Sequence, residues 1–497
     1  MAPPGAGQGV QGVLMLRRNF LNHRVLLRAL CLWVLAHGAV DLSVHAMRVL
    51  RALAFLVWNV PPKFLALQCC HMVQAAMWVT ARRITGRKRS HRWNILMEVF
   101  VEATRPCNAC LQNFDQCITP LCQTLTLLDC YVPQVVRFVH PRVKMESVTQ
   151  GCPRPMTWVW LDDKTTVGKE LVILFLHGGG HFMFTGRSHL ELIARMVKTY
   201  ASFKLPVRAC VVDTRRAPEH PWPAPLDDGI ASYDWLQNVG YTADQIVIAG
   251  DSAGGGLCLS LLQALRDTQR PMPLCSMVVS PMTDFTAGEK QHEKRERNTA
   301  LQKDFLPANS SSICAKYYCA GVDPKHHLVS AKYGELHSLP PVLIQAGESE
   351  TLARDSVEFA QRMEAYGSTV QLEMYPDMPH VFVMFALLGL EDAQLAVERQ
   401  AKFLKAVVTG GFENRARRRL QVLVHDKRTR SFEHLPDIAS SPSSNGRAHA
   451  MVSIASSPML PLSSNKHNSS SFAEQMKSRA KKEALSAREP RSEGRSP

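Results

Sequence analysis

The chain has 497 residues, 46% of them hydrophobic, which is more than one ordinary domain and enough for a large core. Its formal net charge of +15 is concentrated toward the two ends, and Asp41 is the only acidic residue before Glu98. These charges lack the aromatic-plus-basic pattern of a nucleic-acid module, so composition argues against a nucleic-acid partner.

Residues 1–92 form a basic, apolar region whose patterning predicts a helical extension. Its stretch Phe64–Thr80 carries no charged side chain but falls short of the ~20 residues that span a bilayer. Flanking Arg and Lys clusters favour helices lying on an anionic membrane. The alternatives are a helical domain packed on the rest of the chain and an organelle transit peptide, because the segment is poor in acidic residues and contains Arg. Residues 93–155 are predicted to be a further helical cap or linker region.

Residues 156–410 alternate short β-rich runs with helical patterns. This alternation predicts an α/β domain with a mostly parallel central sheet and helices on both faces. The predicted strands are Thr157–Leu161, Leu171–Leu176, Val207–Asp213, Gln245–Ala249, Leu274–Ser280, Val342–Ala346 and Val370–Tyr375. Residues 411–497 are basic and Ser-rich with few large apolar residues, which predicts a disordered tail.

The run Gly250–Gly255 is a glycine-rich turn between a β-rich run and a helical pattern. This is the context of a nucleophile elbow, in which a tight turn presents a serine hydroxyl at the tip of a strand. We therefore predict that Ser252 is a nucleophile. The alternative is a turn that binds phosphate at a helix N-terminus.

A second glycine run, His177–Gly180, follows the predicted strand Leu171–Leu176. Consecutive glycines leave backbone N–H groups exposed, and such groups can stabilise an oxyanion. The loop is therefore a candidate oxyanion loop.

The order of three motifs resembles the hormone-sensitive lipase family of α/β-hydrolases. They are His177–Gly180, Ala217–Ala224 (APEHPWPA) and Gly250–Gly255 (GDSAGG), and the similarity covers about Leu171–Lys405. The resemblance implies the α/β-hydrolase fold, an N-terminal helical cap, and ester hydrolysis by a Ser-His-acid triad. It implies neither a metal nor an organic cofactor. By position, Gly179, Gly180 and Ala253 would donate the hydrogen bonds of the oxyanion hole.

The triad base is assigned to His380. It lies in the run Met378–Phe382, which resembles the histidine loop of the family and follows the last predicted strand. The order Ser, acid, His is the chain order of α/β-hydrolases. The acid is therefore expected before this loop.

The triad acid has three candidates just after the strand Val342–Ala346: Glu348, Glu350 and Asp355. The family pattern resembles Gly-x-x-(Asp/Glu)-x-Leu, and Gly347, Glu350 and Leu352 match it. Glu350 is therefore preferred.

The sequence predicts a serine carboxylesterase that acts on small-to-medium acyl esters of a hydrophobic alcohol, lipid or sterol esters among them. The alternative is a non-catalytic small-ligand-binding protein on the same fold. The expected partners are the ester substrate and a membrane surface; the oligomeric state is left open. Membrane association suggests the endoplasmic reticulum, with the cytoplasm as the alternative location.

Overall fold

A computed structural model describes residues 62–109, 129, 132–162, 166, 168–286, 303–411, 421–426 and 431–434. The first 61 residues of the predicted extension and most of the predicted tail lie outside these ranges.

The described strands assemble into one sheet. They are β1 (Val143–Val148), β2 (Met156–Leu161), β3 (Leu171–Leu176), β4 (Val207–Val212), β5 (Ile246–Asp251), β6 (Cys275–Val279), β7 (Val342–Gly347), β8 (Val370–Tyr375), β9 (Gln421–Asp426) and β10 (Ser431–His434). Their order is β1-β2-β4-β3-β5-β6-β7-β8-β9-β10. Neighbours from β4 to β9 pair in parallel, while β1, β2 and β10 pair antiparallel at the edges.

Of the described helices, three precede β1 and the others lie in connections between later strands. They are α1 (Pro62–Ile84), α2 (Ile95–Ala109), α3 (Val132–Val139), α4 (Leu190–Ser202), α5 (Ala224–Asn238), α6 (Ser252–Asp267), α7 (Ser310–Tyr318), α8 (Ala353–Ala365) and α9 (Glu391–Val408). No helix among the described residues is both long enough and apolar enough to cross a bilayer.

Strand β3 shows how the sheet is buried on both faces. Successive side chains of a strand point to opposite faces, so a strand covered on both sides is apolar throughout. Ile173 and Phe175 belong to an apolar cluster with α4 and α9, whereas Val172 and Leu174 belong to a second cluster with α5, α6 and α8. This confirms the predicted α/β fold with helices on both faces.

The N-terminal helices α1 and α2 form a hairpin that docks on the segment after β8. Trp93 Nε1 donates to the carbonyl of Asp377 (2.9 Å), and Asn94 Nδ2 donates to the carbonyl of Leu388 (2.8 Å). Ring contacts join Phe100 of α2 to Phe385, with centroids 4.8 Å apart. The hairpin therefore packs beside the carboxyl edge of the parallel strands, where sites of α/β folds form.

Three strands lie where the sequence predicted none. Strand β1, inside the helical region predicted for residues 93–155, pairs with β2 and extends the sheet. Strands β9 and β10 lie within residues 411–497, so the prediction of disorder is wrong at Gln421–Asp426 and Ser431–His434. Parallel pairing of β9 with β8 supplies its backbone hydrogen bonds. A composition averaged over the long Ser-rich tail hides so short a run.

Candidate active site

Ser252 lies at a sharp turn between β5, which ends at Asp251, and α6, which it begins. Its φ of 52° is left-handed, a strained conformation for a residue with a side chain. The turn is packed against the end of β3: a Cβ on Gly250 would lie 2.5 Å from the carbonyl oxygen of Leu176, and one on Gly254 would overlap the same oxygen. Glycine is therefore required on both sides of the serine.

His380 lies in the loop after β8 and is buried. Its Nε2 is 2.8 Å from Ser252 Oγ, a hydrogen-bonding distance. The following residue, Val381, adopts a left-handed φ of 48°. The structure thus brings together the predicted nucleophile and base, which are 128 residues apart in sequence.

Glu350 lies in the loop after β7, buried below the imidazole of His380. Its Oε1 is 3.9 Å from His380 Nδ1, longer than a hydrogen bond, and neither atom has a hydrogen-bond partner among the described residues. The other carboxylate oxygen, Oε2, accepts from Ser280 Oγ (2.6 Å) and from the Gly347 amide (2.9 Å). Hydrogen bonds of unliganded catalytic sites are often long, so this arrangement fits an acid facing its base.

The other two candidate acids occupy different surroundings. Asp355, near the start of α8, is buried and contributes with Asp284 to the negative charge around the Lys332 ammonium. Glu348 is half-buried at the end of β7, where its amide donates to the carbonyl of Tyr375 (2.9 Å).

The electrostatics of the site favour a proton on the imidazole. Burial alone would lower the pKa of His380, but the carboxylates of Glu350, Asp304 and Asp251 outweigh it and hold that pKa above the ordinary value. Burial also raises the pKa of Glu350, against the lowering effect of His380 and Ser280. The two groups thus form a tightly coupled buried pair beside the serine.

The glycine loop His177–Gly180 follows β3 beside the serine turn. Gly179 (φ 113°) and Gly180 (φ 65°) have left-handed backbones, and a Cβ on Gly180 would lie 2.8 Å from the Phe182 ring. The Gly178 amide is already used, because it donates to Asp251 Oδ1 (3.0 Å). Ala253 is the second residue of α6, so its amide is one of the N-terminal helix donors without an intrahelical acceptor.

Hydrogen bonds and ion pairs among buried polar side chains stabilise the glycine loop and the adjacent serine turn. Asp251, directly before the serine, lies 3.1 Å from His189 Nε2, and His177 Nδ1 contacts the carbonyl oxygen of Gly178 at 2.8 Å. Burial lowers the pKa of His177 to about 4, so its ring is neutral near pH 7. His189, in contrast, has a raised pKa because Asp251 outweighs its burial.

An apolar cluster flanks the serine on the side of α7. The Met282 amide donates to the Ser252 carbonyl (2.9 Å), and Met282 packs with Phe285 and Tyr318. His181, the residue after the glycine loop, is buried and stacks on the Tyr318 ring with centroids 3.7 Å apart. Burial lowers the pKa of His181 to about 3, so it acts here as a neutral flat ring.

Two residues that contact the predicted triad were missed from the sequence. Ser280, just after β6, donates to Glu350, and its Oγ accepts from the Val381 amide (3.1 Å). Asp304 is buried and accepts from the His380 amide (3.0 Å). The position of Ser280 at the carboxyl edge of a parallel strand is a signal that could have found it. Asp304 lies in no motif.

A serine at an elbow, a histidine within hydrogen-bond reach and a carboxylate beyond it are the parts of a serine hydrolase. The arrangement of these three side chains fits nucleophilic acyl transfer on an α/β-hydrolase fold. The described residues include no group of three or more His, Cys, Asp or Glu side chains placed to hold a metal ion.

Comparison with known proteins agrees with this class. The family described as alpha/beta hydrolase fold matches residues 173–384. An acetyl-hydrolase of Streptomyces hygroscopicus is 33% identical over 254 residues, which cover 51% of this chain and 81% of that protein. The chain belongs to the hormone-sensitive lipase family of α/β-hydrolases and is an esterase- or lipase-type serine hydrolase.

Two further relatives are also esterases by name. The carboxylesterase/phospholipase LipF of Mycobacterium tuberculosis is 32% identical over 249 residues, which cover 48% of this chain and 62% of LipF. The crystal structure of EstE5 soaked with p-nitrophenyl butyrate superposes with a TM-score of 0.50 at 31% identity, covering 57% of this chain and 91% of EstE5. The similarity favours an enzyme over the alternative of a silent binding protein.

Proposed function

We propose that this protein hydrolyses carboxylic esters through Ser252, His380 and Glu350. The observation that carries the proposal is the 2.8 Å contact between His380 Nε2 and Ser252 Oγ at the elbow. As Oγ attacks the ester carbonyl carbon, its proton passes to Nε2. The tetrahedral intermediate collapses, the C–O bond to the alcohol breaks, and His380 returns the proton to the departing oxygen.

The acyl-enzyme is then hydrolysed by the same groups. Water loses a proton to His380 Nε2 and attacks the acyl carbon, and the intermediate expels Ser252, which regains the proton. Glu350 holds the Nδ1–H tautomer and stabilises the imidazolium that forms in each half-reaction. Its facing oxygen, 3.9 Å away and otherwise without a hydrogen bond among the described residues, supports this role.

The oxyanion hole is assigned to the amides of Gly179, Gly180 and Ala253. The glycine loop lies against the serine turn, and the Ala253 amide opens α6, where the helix dipole also favours negative charge. The Gly178 amide is excluded because Asp251 already accepts from it.

The proposed substrates are small-to-medium acyl esters of a hydrophobic alcohol, lipid and sterol acetates among them. The apolar cluster beside Ser252, which includes Phe182, Phe285 and Tyr318, suits a hydrocarbon better than a charged substrate. This cluster is tightly packed at the glycine loop, where a Cβ on Gly180 would lie 2.9 Å from Cys314 Sγ. An acetyl-hydrolase among the relatives and a butyrate ester soaked into EstE5 also support a short acyl group.

Hydrolysis of p-nitrophenyl acetate, butyrate, octanoate and palmitate tests this function. We expect kcat/KM to be highest for acetate or butyrate and to fall with chain length. Ser252→Ala should lose at least about 10³-fold in kcat. Absence of hydrolysis by the wild type, or equal turnover by Ser252→Ala, would refute the esterase proposal. A maximum of kcat/KM at palmitate would refute the proposal of a short acyl group.

We also propose that α1 lies on an anionic membrane surface. Its outward side chains Val73, Met77, Trp78 and Ile84 are apolar and 55%, 65%, 60% and 81% exposed. Val73, Met77 and Ile84 lie along one side of α1, with Trp78 next to Met77, while Ala75 and Val79 pack on α2. A surface helix with exposed apolar side chains beside cations can lie in the membrane interface with those side chains in the lipid.

The charges beside this apolar face favour anionic lipid. Arg83 pairs with Glu98 (2.8 Å) and Arg82 pairs with Glu102 (3.1 Å), so the acidic residues of the hairpin are neutralised. Exposed Arg87 and Lys88, just after α1, have no carboxylate partner among the described residues. Each such cation near an anionic surface contributes about 1 kcal/mol to binding. The endoplasmic reticulum is the proposed compartment, with the cytoplasm as the alternative.

Flotation of the full chain with vesicles tests the membrane proposal. Vesicles containing phosphatidylserine should bind it, and phosphatidylcholine vesicles should bind it less. Met77→Ser with Trp78→Ser should weaken binding about tenfold or more, whereas Val408→Ser, which removes an exposed apolar residue of α9, should not. Equal binding by the double variant would refute the proposal. The proposal would also be refuted if the double variant changed its oligomeric state but bound vesicles as the wild type does. That result would mean that the exposed apolar side chains of α1 contact a second copy of the chain.

A further inference from the structure

Asp304 is a carboxylate that is only 3% exposed, between the end of β6 and the start of α7. Oδ1 accepts from the amides of His380 (3.0 Å) and Phe305 (2.9 Å), and Oδ2 accepts from the amide of Thr351 (2.7 Å). No Lys or Arg pairs with it among the described residues. Backbone amides, not a cation, therefore compensate its burial.

The two distant amides belong to the two loops that carry the proposed acid and base. Thr351 directly follows Glu350 in the loop after β7, and His380 is itself the base in the loop after β8. One carboxylate thus connects the two loops through their backbones. The 3.9 Å separation of Glu350 Oε1 and His380 Nδ1 depends on how these loops lie against each other.

The segment of Asp304 also lies against the imidazole. The ring of Phe305, the next residue, has its centroid 6.2 Å from that of His380 and 6.1 Å from that of Phe100 in α2. The base is therefore held from its backbone by Asp304 and from the side of its ring by Phe305. This contact also links the N-terminal hairpin to the base.

We propose that Asp304 is a positioning residue of the esterase site, whose carboxylate joins the acid loop to the base loop and so sets the geometry of Glu350 against His380. The inference rests on the proposed triad. It extends that triad by a fourth group that touches neither substrate nor the reacting atoms. Ser280 makes a second, parallel connection, because it bonds both Glu350 and the Val381 amide.

The negative charge of Asp304 has a consequence that a purely structural link would not have. The carboxylates whose charge acts on the imidazole are Glu350 from the loop after β7, Asp304 from the segment before α7, and Asp251 from the end of β5. All three carboxylates stabilise the imidazolium. Loss of one of them should therefore lower the pH at which His380 becomes protonated.

The test compares Asp304→Asn, Asp304→Glu and the control Asp234→Asn in the full chain. Asp234 lies in α5, where its carboxylate binds the side chain of Arg270 (3.0 Å). The measurements are kcat and KM for p-nitrophenyl acetate, the pH dependence of kcat/KM, and thermal unfolding. The asparagine is isosteric, but its amide group opposes one of the backbone N–H donors and the charge is gone.

For Asp304→Asn we expect a kcat about 10–100-fold lower, because small misplacements of reacting groups cost up to about 10²-fold. KM should stay within about threefold, and the acid limb of kcat/KM should move to lower pH. Asp304→Glu keeps the charge but lengthens the side chain, so its kcat should fall while its acid limb stays at the wild-type pH. Asp234→Asn should keep the wild-type kcat and acid limb.

A folded Asp304→Asn with wild-type kcat and acid limb would overturn the inference. So would a loss of activity that follows thermal unfolding while the acid limb stays in place, since that describes a purely structural residue. If the asparagine variant does not fold, the Asp304→Glu variant provides the test. A wild-type kcat in Asp304→Glu would overturn the inference. Absence of esterase activity in the wild type would instead refute the proposed function itself.

Discussion

Replacing Glu350 with glutamine tests the triad acid most sharply, because the side chain keeps its shape and loses only its charge and one acceptor. In wild type, Oε2 accepts from Ser280 Oγ (2.6 Å) and from the Gly347 amide (2.9 Å), while Oε1 faces His380 Nδ1 at 3.9 Å. The single oxygen of the glutamine amide can accept hydrogen bonds either from Ser280 and Gly347 or from His380, but not from both sides. The orientation of the amide therefore decides which tautomer His380 adopts.

If the glutamine oxygen takes the place of Oε2, the NH₂ group faces the imidazole. Nδ1 must then accept, so the proton moves to Nε2, and His380 presents a donor to Ser252 instead of a base. In the opposite orientation the NH₂ group faces the Gly347 amide, which leaves a buried donor unsatisfied at a cost of about 1–3 kcal/mol. The first orientation is thus favoured by about 5- to 160-fold.

We therefore expect Glu350→Gln to lose about 10⁴-fold in kcat, or about 5.4 kcal/mol of transition-state stabilisation. Steady-state hydrolysis of p-nitrophenyl acetate measures this loss, and thermal unfolding checks the fold. The matched controls are Asp355→Asn and Glu348→Gln, the two other candidate acids, which should keep most of the turnover. A small loss in Glu350→Gln with a large loss in Asp355→Asn would refute the assignment.

The pH profile gives a second measure of the same group. His380 must be neutral to accept the serine proton, and carboxylates around it hold its pKa above the ordinary value of 6.5. Activity of the wild type should therefore fall as pH falls through this raised pKa, with an acid limb above pH 6.5. In Glu350→Gln the residual activity should show an acid limb at lower pH. An acid limb at the wild-type pH in Glu350→Gln would contradict the claim that the Glu350 carboxylate raises the pKa of His380.

Three further changes test the surroundings of the triad. Gly180→Ala introduces a Cβ at 2.8 Å from the Phe182 ring in a left-handed backbone, so kcat should fall about 10²–10³-fold with little change in KM; wild-type kcat would argue against this loop as the oxyanion hole. His181→Phe should keep the acid limb in place, because the pKa of His181 is about 3 and its ring is already neutral; a shifted limb would show that His181 titrates in the assay range. Ser280→Ala removes one of the two donors to Glu350 Oε2 and leaves the Val381 amide without its acceptor, so the free energy of unfolding should fall by about 1–3 kcal/mol and kcat should also drop. Denaturant unfolding measures the first effect, and an unchanged midpoint would refute it.

The glycine motifs were predictable because local backbone geometry demands them. No side chain fits at Gly250 or Gly254 against the Leu176 carbonyl, so the sequence records the turn directly. The buried strands were predictable for a similar reason, since a strand covered on both faces is apolar at every position, as in Leu171–Leu176. These two signals located the fold, Ser252 and the glycine loop.

The connections between loops were not predictable in this way. Asp304 bonds backbone amides of residues 47 and 76 positions away, and any residue type can supply an amide. Ser280 and Val381 are likewise 101 residues apart. Such contacts arise only when the parallel strands bring their carboxyl ends to one edge of the sheet. Strands β9 and β10 were not predicted for a different reason, because their short runs lie in the basic beginning of a tail that is Ser-rich as a whole.

The most direct test of the account is labelling with a fluorophosphonate probe followed by peptide mass spectrometry. The probe reacts with a serine only where a base activates the hydroxyl and an oxyanion hole receives the phosphonyl oxygen. We predict one adduct per chain, on Ser252, whose formation slows strongly in His380→Ala and does not occur in Ser252→Ala. Absence of labelling in the wild type, or an adduct of equal yield in Ser252→Ala, would contradict the central claim.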